Sequence, residues 1–172
     1  NRTALLHPVN QWPDPGVAEN ILVISGSCSP VTAKQIAVAA ANGFSLVEIN
    51  PADPTYNNTQ LIPQLLETLK QNKKLIIHSG KHLGRPVAAE ILGTALGSIA
   101  SKLISQTRVD RLIVAGGDTS SYAARALGIE ALKMIASWSA GAPLCKAYSS
   151  DKAIDGLQVN FKGGQVGNEN YF

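Results

Sequence analysis

A chain of 172 residues with 45% hydrophobic and 16% charged residues has the size and composition of one soluble, globular domain with a full core. Its formal net charge of +3 is too small to predict a nucleic-acid partner, and no apolar run approaches the roughly 20 residues that a membrane span needs. The two cysteines lack metal-ligand spacing and no signal peptide is visible, so we expect reduced thiols in a cytoplasmic protein.

Residues 1–19 are polar and contain Pro8, Pro13 and Pro15, and the chain begins with Asn1 instead of Met. This composition predicts a linker that has been cut from a longer protein. In this interpretation one domain follows, over residues 20–172.

From Ile21 onward, runs of strand-forming residues alternate with helical patterns four times. The predicted strands are 21–24, 45–49, 74–78 and 111–115, and the predicted helices are 33–42, 61–70, 87–105 and 122–127. Pro63 is expected in the first turn of the second helix, where proline is tolerated. After Gly128, short β-prone segments at 133–136, 144–148 and 157–161 predict antiparallel strands that extend the sheet. The pattern therefore predicts an α/β fold with three layers: a mixed, mostly parallel sheet with helices on both faces and antiparallel strands near the C-terminus.

The first predicted strand leads into a serine-rich loop, SGSCSPVT, which begins at Ser25. The hydroxyl groups of Ser25, Ser27, Ser29 and Thr32 are neutral donors that suit an oxyanion. Ser29 before Pro30 also fits simple N-capping of the helix that follows. From the residues alone, both interpretations stay open.

The loop HSGKHLGRP follows the third predicted strand. Its Lys81 and Arg85 either meet a phosphate or are only solvated. His78 and His82 are four residues apart, but Gly80 between them argues against the helix on which that spacing would hold a metal. We therefore predict no metal site in this loop.

The fourth predicted strand ends in AGGDTS, and a helical pattern follows. Gly116 and Gly117 allow the backbone to approach a ligand closely, and Asp118 or Thr119 suits the N-cap of a helix that starts near Ser120. In an open α/β sheet, anions and nucleotides bind at such strand-to-helix turns. The stretch therefore predicts a ligand-binding loop.

The chain closes with FKGGQVGNENYF. This segment is either a final hairpin with a tail, or a glycine loop at Gly163 and Gly164 whose amides face phosphates, with Lys162 as a point charge.

No general nucleotide-binding motif is present. Gly80 and Lys81 supply a GK pair, but His82 stands where a P-loop has Ser or Thr, and Leu75 stands where its first glycine belongs. No GxGxxG follows the first strand. The residues predict a nucleotide site only through several polar, glycine-bearing loops that would meet at one edge of the sheet.

Four stretches in this order, SGSCSPVTAKQI, VAGGDTSSYAARALGIEAL, SAGAPLCKA and KGGQVGNENYF, resemble the C-terminal nucleotide-binding domain of the four-carbon acid sugar kinase family. The resemblance covers residues 21–172. It implies an ATP-dependent kinase of a 3-oxo-tetronate, threonate or erythronate, in which an N-terminal domain of the same protein holds the sugar acid. Magnesium would bridge the phosphates of ATP. A homodimer is compatible with this expectation.

The resemblance also implies which residues bind the cofactor. The serine loop matches one ATP contact, with Ser27 preferred, and the glycine-rich turn and the terminal glycines match the others. The implied positions are Ser27, Ser29, Gly116, Gly117, Asp118, Thr119, Gly163 and Gly164. Asp118 is expected either to reach Mg²⁺ through water or to cap its helix, and no catalytic base is assigned.

Two departures from the family limit what the resemblance implies. The loop HSGKHLGRP does not align with the family pattern, so the roles of Lys81 and Arg85 stay open. The aspartate-rich, DDLTGA-like motif near the family's start is absent, so the chain is expected to lack the substrate-binding half and to be inactive alone.

Two other classes of protein are compatible with the same loops. One is a sugar-phosphate binding or isomerase-like α/β module that takes no nucleotide. The other is a thiol enzyme that uses Cys28, which lies near a predicted helix N-terminus where a thiolate is stabilised. No histidine has a sequence signature as its partner, which disfavours the thiol enzyme.

Overall fold

The computed structural model describes residues 12–50, 58–80 and 87–172. Strands and helices alternate in these ranges as far as the fourth helix, and three strands follow it. The strands are β1 (Ile21–Ser25), β2 (Ser45–Ile49), β3 (Lys74–Ser79), β4 (Arg111–Ala115), β5 (Ala131–Ser139), β6 (Ala142–Tyr148) and β7 (Gln158–Lys162). The helices are α1 (Pro30–Ala41), α2 (Asn58–Asn72), α3 (Ala89–Ile104) and α4 (Gly117–Ala126).

The strands form one seven-stranded sheet in the order β2-β3-β1-β4-β7-β6-β5. The first five run parallel, β6 runs antiparallel to β7, and β5 runs antiparallel to β6. Strand β7 therefore joins the two parts, because it pairs parallel with β4 on one side and antiparallel with β6 on the other. The predicted α/β class with a mixed, mostly parallel sheet is confirmed.

The central strands are buried on both faces, which explains their unbroken apolar sequences. On one face, side chains such as Leu22 and Leu112 pack against α2, α3 and α4. On the other face, Val23 and Ile113 pack against α1 and against the C-terminal segment, residues 163–172, that follows β7. The sheet thus lies between two outer layers, as the sequence predicts.

The face of the sheet on which each helix lies follows from the direction of its crossover connection. The connection from β1 to β2 passes to one side of β1, whereas the connections from β2 to β3 and from β3 to β4 run the opposite way. Since parallel crossovers are right-handed, α1 lies on the opposite face from α2 and α3. Strands β1 and β4 are neighbours, and the helices that follow them, α1 and α4, leave toward opposite faces. This arrangement opens a crevice at their carboxyl ends.

Pro63 lies deeper in α2 than predicted. The helix begins at Asn58, three residues before the predicted start, so Pro63 is its sixth residue and lies beyond the first turn. The expectation of a first-turn proline is therefore wrong. Pro63 is exposed, so the backbone carbonyl that loses its hydrogen bond lies on the solvent side of the helix.

Hydrogen bonds hold the last residues of the predicted linker against the domain. Gln158 Nε2 donates to the carbonyl of Pro15 at 2.7 Å, and Asp110 accepts hydrogen bonds from the Asn20 backbone N–H at 2.9 Å and from Arg108. Partial burial would raise the pKa of Asp110, but these donors outweigh it and lower that pKa to about 2. The boundary at residue 20 stays a prediction, and residues 1–11 lie outside the described ranges. No helix in the described ranges is long and apolar enough to cross a membrane.

Helices α3 and α4 approach each other at two glycines. A Cβ atom at Gly97 would lie 2.8 Å from Ala123 Cα and 2.8 Å from Ala126 Cβ, and one at Gly93 would lie 2.7 Å from Tyr122 Cβ. No methyl group fits at either contact unless the helices move apart. Helix α3 therefore determines where the N-terminus of α4 lies above the sheet.

We expect Gly97→Ala to lower the free energy of unfolding. Alanine adds about 1 kcal/mol of helix propensity, but overpacking of this kind costs about 1–3 kcal/mol, so the net loss should reach about 1 kcal/mol. Urea unfolding measures it. Thr94→Ala, at an exposed position of the same helix, is the matched control and should be neutral or slightly stabilising. Equal stabilisation by both substitutions would contradict the close packing of α3 on α4.

Candidate functional site

A cleft of about 500 Å³ lies at the carboxyl ends of β3, β1, β4 and β7. It occupies the crevice where α1 and α4 leave toward opposite faces. Six of the predicted cofactor-binding residues line it: Ser27, Gly116, Gly117, Asp118, Thr119 and Gly164. The other two, Ser29 and Gly163, are chain neighbours of this lining and are not part of it.

The N-terminus of α4 opens into the cleft without a side-chain cap. The N-cap residue is Gly116, with φ of 120°, and the helix begins at Gly117. Asp118 and Thr119 are therefore second and third in the helix, and the expectation that one of them is the cap of a helix near Ser120 is wrong. Because the first amides of a helix have no acceptor inside it, the N–H groups of residues 117–119 are left for a ligand.

The adjacent residues Gly116 and Gly117 are glycines for different structural reasons. A Cβ atom at Gly116 would lie 2.9 Å from Thr119 Oγ1 and 3.4 Å from the Ser27 backbone nitrogen, and its positive φ also favours glycine. A Cβ atom at Gly117 would meet nothing within 4 Å. Gly116 is therefore required by the fold, whereas Gly117 leaves open space in the cleft.

The serine loop is held by its own hydroxyl groups. Ser29 Oγ accepts from the Val31 N–H at 3.2 Å and caps α1, and Ser27 Oγ accepts from the Ser29 N–H at 3.2 Å. Ser29 thus has the capping role that the sequence left open, and Ser27 is the serine that lines the cleft. Cys28 between them is exposed and also lines it.

The terminal glycine loop packs against the serine loop. A Cβ atom at Gly164 would lie 2.6 Å from Ser27 Oγ and 3.0 Å from Ser29 Cβ. Helix α1 holds this loop, because Thr32 Oγ1 donates to the Gly164 carbonyl at 2.8 Å and Gln35 Nε2 donates to the Val166 carbonyl at 3.0 Å. The loops after β1 and β7 form one continuous rim.

Lys162 does not face the open cleft. Its side chain is 1% exposed, its Nζ donates to Thr32 Oγ1 at 3.1 Å, and the rings of Tyr171 and Phe172 lie within 5.7 Å of it. Burial lowers the pKa of Lys162 to about 8. The interpretation of Lys162 as a point charge that faces phosphates directly is therefore wrong. The cation lies beneath the glycine loop.

Sequence reasoning singled out the loop after β3 for Lys81 and Arg85, but it missed the residues that line the cleft on this side. Ser79 and Gly80 at the end of β3 line it, together with an apolar surface at and just before the start of α3: Val87, Ala89 and Leu92. The N-terminus of α3 also lacks a side-chain cap bond, since its N-cap residue is Ala88. The strand order places β3 beside β1, and no local pattern reveals that order. Lys81, His82 and Arg85 lie outside the described ranges, so their predicted alternatives stay untested.

The cleft has the chemistry of an anion site with an apolar wall. Two uncapped helix N-termini, α3 and α4, supply free amides and the positive ends of their dipoles. Among the described residues that line it, Asp118 is the one charged side chain. Neutral donors therefore dominate the described part of the lining.

Comparisons with known proteins agree with this geometry. The family model described as "Nucleotide-binding C-terminal domain" matches residues 22–172. The chain is 33% identical to a 3-oxo-isoapionate kinase of Paraburkholderia graminis, over 98% of this chain and 41% of that protein. It is 26% identical to a 3-oxo-tetronate kinase of Pseudomonas savastanoi and 25% identical to a D-threonate kinase of Salmonella typhimurium. Those two matches cover 88% and 87% of this chain, and 36% and 40% of the relatives.

Solved structures share the fold. A domain of unknown function from Bordetella bronchiseptica, crystallised with citrate as a domain-swapped dimer, superposes with a TM-score of 0.74 at 20% identity, over 91% of this chain and 40% of that one. A Haemophilus influenzae protein superposes with a TM-score of 0.68 at 23% identity, over 89% of this chain and 39% of that one. The chain spans about two fifths of the length of these relatives. It belongs to the family of C-terminal nucleotide-binding domains of the four-carbon acid sugar kinases.

Proposed function

We propose that this chain is the ATP-binding domain of a kinase that phosphorylates a four-carbon sugar acid of the 3-oxo-tetronate, threonate or erythronate type. The observation that carries the proposal is the uncapped N-terminus of α4, which opens into a cleft between two strands whose helices diverge. Ligands of open α/β sheets bind at such a crevice. The kinases among the relatives make ATP the nucleotide that this cleft is proposed to take.

The residues of the cleft fit a polyphosphate. The free amides of residues 117–119 are directional donors, and the open space at Gly117 lets phosphate oxygens reach them. The hydroxyl hydrogen of Ser27, which also lines the cleft, is a further donor. The apolar wall at Val87, Ala89 and Leu92 suits the base or the ribose rather than the phosphates.

Asp118 is the residue that fits magnesium. Its side chain is exposed at the cleft, and carboxylate oxygens hold Mg²⁺ either directly or through water. When bound, Mg²⁺ would supply positive charge that offsets the negative charge developing during phosphoryl transfer. Asp118 would hold the ion beside the first turn of α4.

The chain's own contribution to phosphoryl transfer is positioning. Backbone amides at the α4 N-terminus orient the phosphates, and the rim formed by Ser27 and Gly164 borders the same cleft. We propose that the sugar acid is held by an N-terminal domain of the same protein, because the chain spans about two fifths of its relatives. A homodimer is part of this proposal and is compatible with the swapped dimer of the Bordetella bronchiseptica protein.

We expect Gly117→Val to abolish nucleotide binding and to leave the fold intact. The new side chain meets no protein atom near its Cβ and projects into the space proposed for phosphate. Loss of even two charge-assisted hydrogen bonds, at about 1.5–3 kcal/mol each, weakens affinity on the order of a hundredfold or more. Calorimetric titration with a non-hydrolysable ATP analogue measures the change.

Ser121→Val is the matched control for that substitution. Ser121 is exposed on the same helix, does not line the cleft, and should leave the affinity unchanged. Gly116→Val should instead lower the melting temperature, because of the positive φ and the contact with Thr119 Oγ1. Equal affinities of wild type and Gly117→Val would remove this loop from the nucleotide site.

The 172-residue chain should bind ATP–Mg and phosphorylate nothing. ATP at a hundredfold its Kd stabilises the native state by about 2.7 kcal/mol, which raises the melting temperature by roughly 5–11 °C in a domain of this size. A sugar acid that no second domain holds loses an effective molarity worth on the order of 7–11 kcal/mol. Thermal shifts with ATP, ADP and sugar phosphates, together with transfer assays on threonate, erythronate and 3-oxo-tetronate, measure both expectations.

Two results would contradict this expectation in different ways. A thermal shift with sugar phosphates and none with nucleotides would favour the sugar-phosphate binding or isomerase-like module. Robust turnover by the chain alone would mean that the acceptor site lies within these residues.

A further inference from the structure

Lys162 is a buried cation without a carboxylate partner. Its side chain is 1% exposed, and none of the ion pairs among the described residues includes it. A buried ammonium group that lacks a counter-charge is strongly disfavoured, so proteins pair such groups or leave them neutral. Among the described residues, Lys162 therefore lacks the counter-charge that a buried ammonium group normally has.

The neighbours of the Lys162 ammonium group are neutral. From α1 it meets the Thr32 hydroxyl, and from the C-terminal segment it meets the rings of Tyr171 and Phe172. Tyr171 is the titratable group among them. Burial raises the pKa of its hydroxyl, which donates to Asn160 Oδ1 at 2.8 Å, so it supplies no negative charge.

Charged residues of the same elements lie at the surface. Lys34 on α1 and Glu169 in the C-terminal segment form an exposed ion pair with each other. Strands β4 and β7 meet at this end through the Gly116 N–H, which donates to the Lys162 carbonyl at 2.9 Å. The described protein groups around Lys162 thus leave its charge unbalanced.

A short relay joins Lys162 to the cleft. An ammonium group has donors and no acceptor, so Thr32 Oγ1 must accept from Nζ, and its own hydrogen is then directed to the Gly164 carbonyl. Gly164 lines the cleft and contacts Ser27. The unbalanced charge is therefore two hydrogen bonds away from the rim of an anion site.

We propose that Lys162 is a positioning residue of this site: its ammonium group holds the Gly164 rim through Thr32 and is the buried counter-charge of the anion bound in the cleft. This inference rests on the proposed function, which supplies that anion as the phosphates of a nucleotide. Lys162 acts without touching the ligand, through the relay and through its charge in a region of low dielectric constant.

A counter-charge role for Lys162 couples nucleotide binding to the uptake of a proton by its side chain. The pKa of Lys162 is about 8 in the free domain, below its ordinary value of 10.5, so its burial destabilises the fold below pH 8 and this cost is relieved as the pH rises from 8 to 10.5. A bound anion favours the charged form and raises that pKa. Above pH 8, binding therefore takes up a proton from the buffer onto the neutral amine, and affinity falls as the pH increases.

The test uses the 172-residue chain, with ADP and inorganic pyrophosphate as probes. Calorimetry at pH 8.5 in two buffers of different ionisation enthalpy should show wild type taking up roughly half a proton or more per ADP bound. Lys162→Met should take up none, should weaken ADP binding on the order of tenfold at pH 7, and should retain or increase the melting temperature, because methionine removes the unpaired charge. A residue with a purely structural role would lower the melting temperature instead.

Three further variants separate charge from packing. Thr32→Val leaves Lys162 in place and removes the relay, so it should weaken ADP binding. The double variant with Lys162→Met should lose less affinity than the two single losses added together, because both substitutions act on the same relay. Lys34→Met removes an exposed cation of the adjoining helix and should leave affinity and proton uptake unchanged.

The outcomes distinguish this inference from the proposed function. ADP binding without proton uptake, and with equal affinity in Lys162→Met, would overturn the role of Lys162 and leave the nucleotide site intact. Proton uptake with pyrophosphate and no binding of ADP would support Lys162 and overturn the nucleotide proposal. If neither anion binds to wild type, both are overturned.

Discussion

The divergence of α1 and α4 from two adjacent parallel strands is the constraint on which the site depends. Strands β1 and β4 are hydrogen-bonded neighbours, and right-handed crossovers send α1 and α4 to opposite faces of the sheet. Neither helix then covers the carboxyl ends of the strands, so their loops stay accessible. Every feature of the proposed nucleotide site lies at this opening, including the free amides of α4, the serine loop and the glycine rim.

The site is built from groups that lower the stability of the domain. Helix α4 starts without a side-chain cap, Gly116 has a positive φ, and Lys162 is buried without a counter-charge. By contrast, α1 beside the same cleft has an ordinary serine cap. Helix α4, whose first amides a ligand would use, has no side-chain cap bond, whereas α1, which only supports the rim, has one. This distribution is the one expected of a binding site, since unsatisfied donors and charges are retained where a ligand completes them.

Most strands and helices are predictable from sequence, because the central strands are buried on both faces and read as unbroken apolar runs. The start of α4 is not, because Asp118, Thr119 and Ser120 are all good capping residues, while the actual cap is Gly116. The sequence does not distinguish the roles of Ser29 and Ser27. In the structure, Ser29 caps α1 and Ser27 lines the cleft. Lys162 is misjudged for a tertiary reason: the C-terminal segment folds back over the sheet and buries it, and no local pattern shows this.

The most direct test of the account follows the backbone amides of α4 by ¹⁵N NMR during titration with ADP. If phosphates bind at the uncapped N-terminus, the amide resonances of Gly117, Asp118 and Thr119 should shift strongly and saturate together with that of Gly164. The amide of Val31, which is already bonded to Ser29, should shift less. Binding of ADP that leaves the resonances of residues 117–119 unchanged would contradict the account, because the ligand would then occupy another part of the domain.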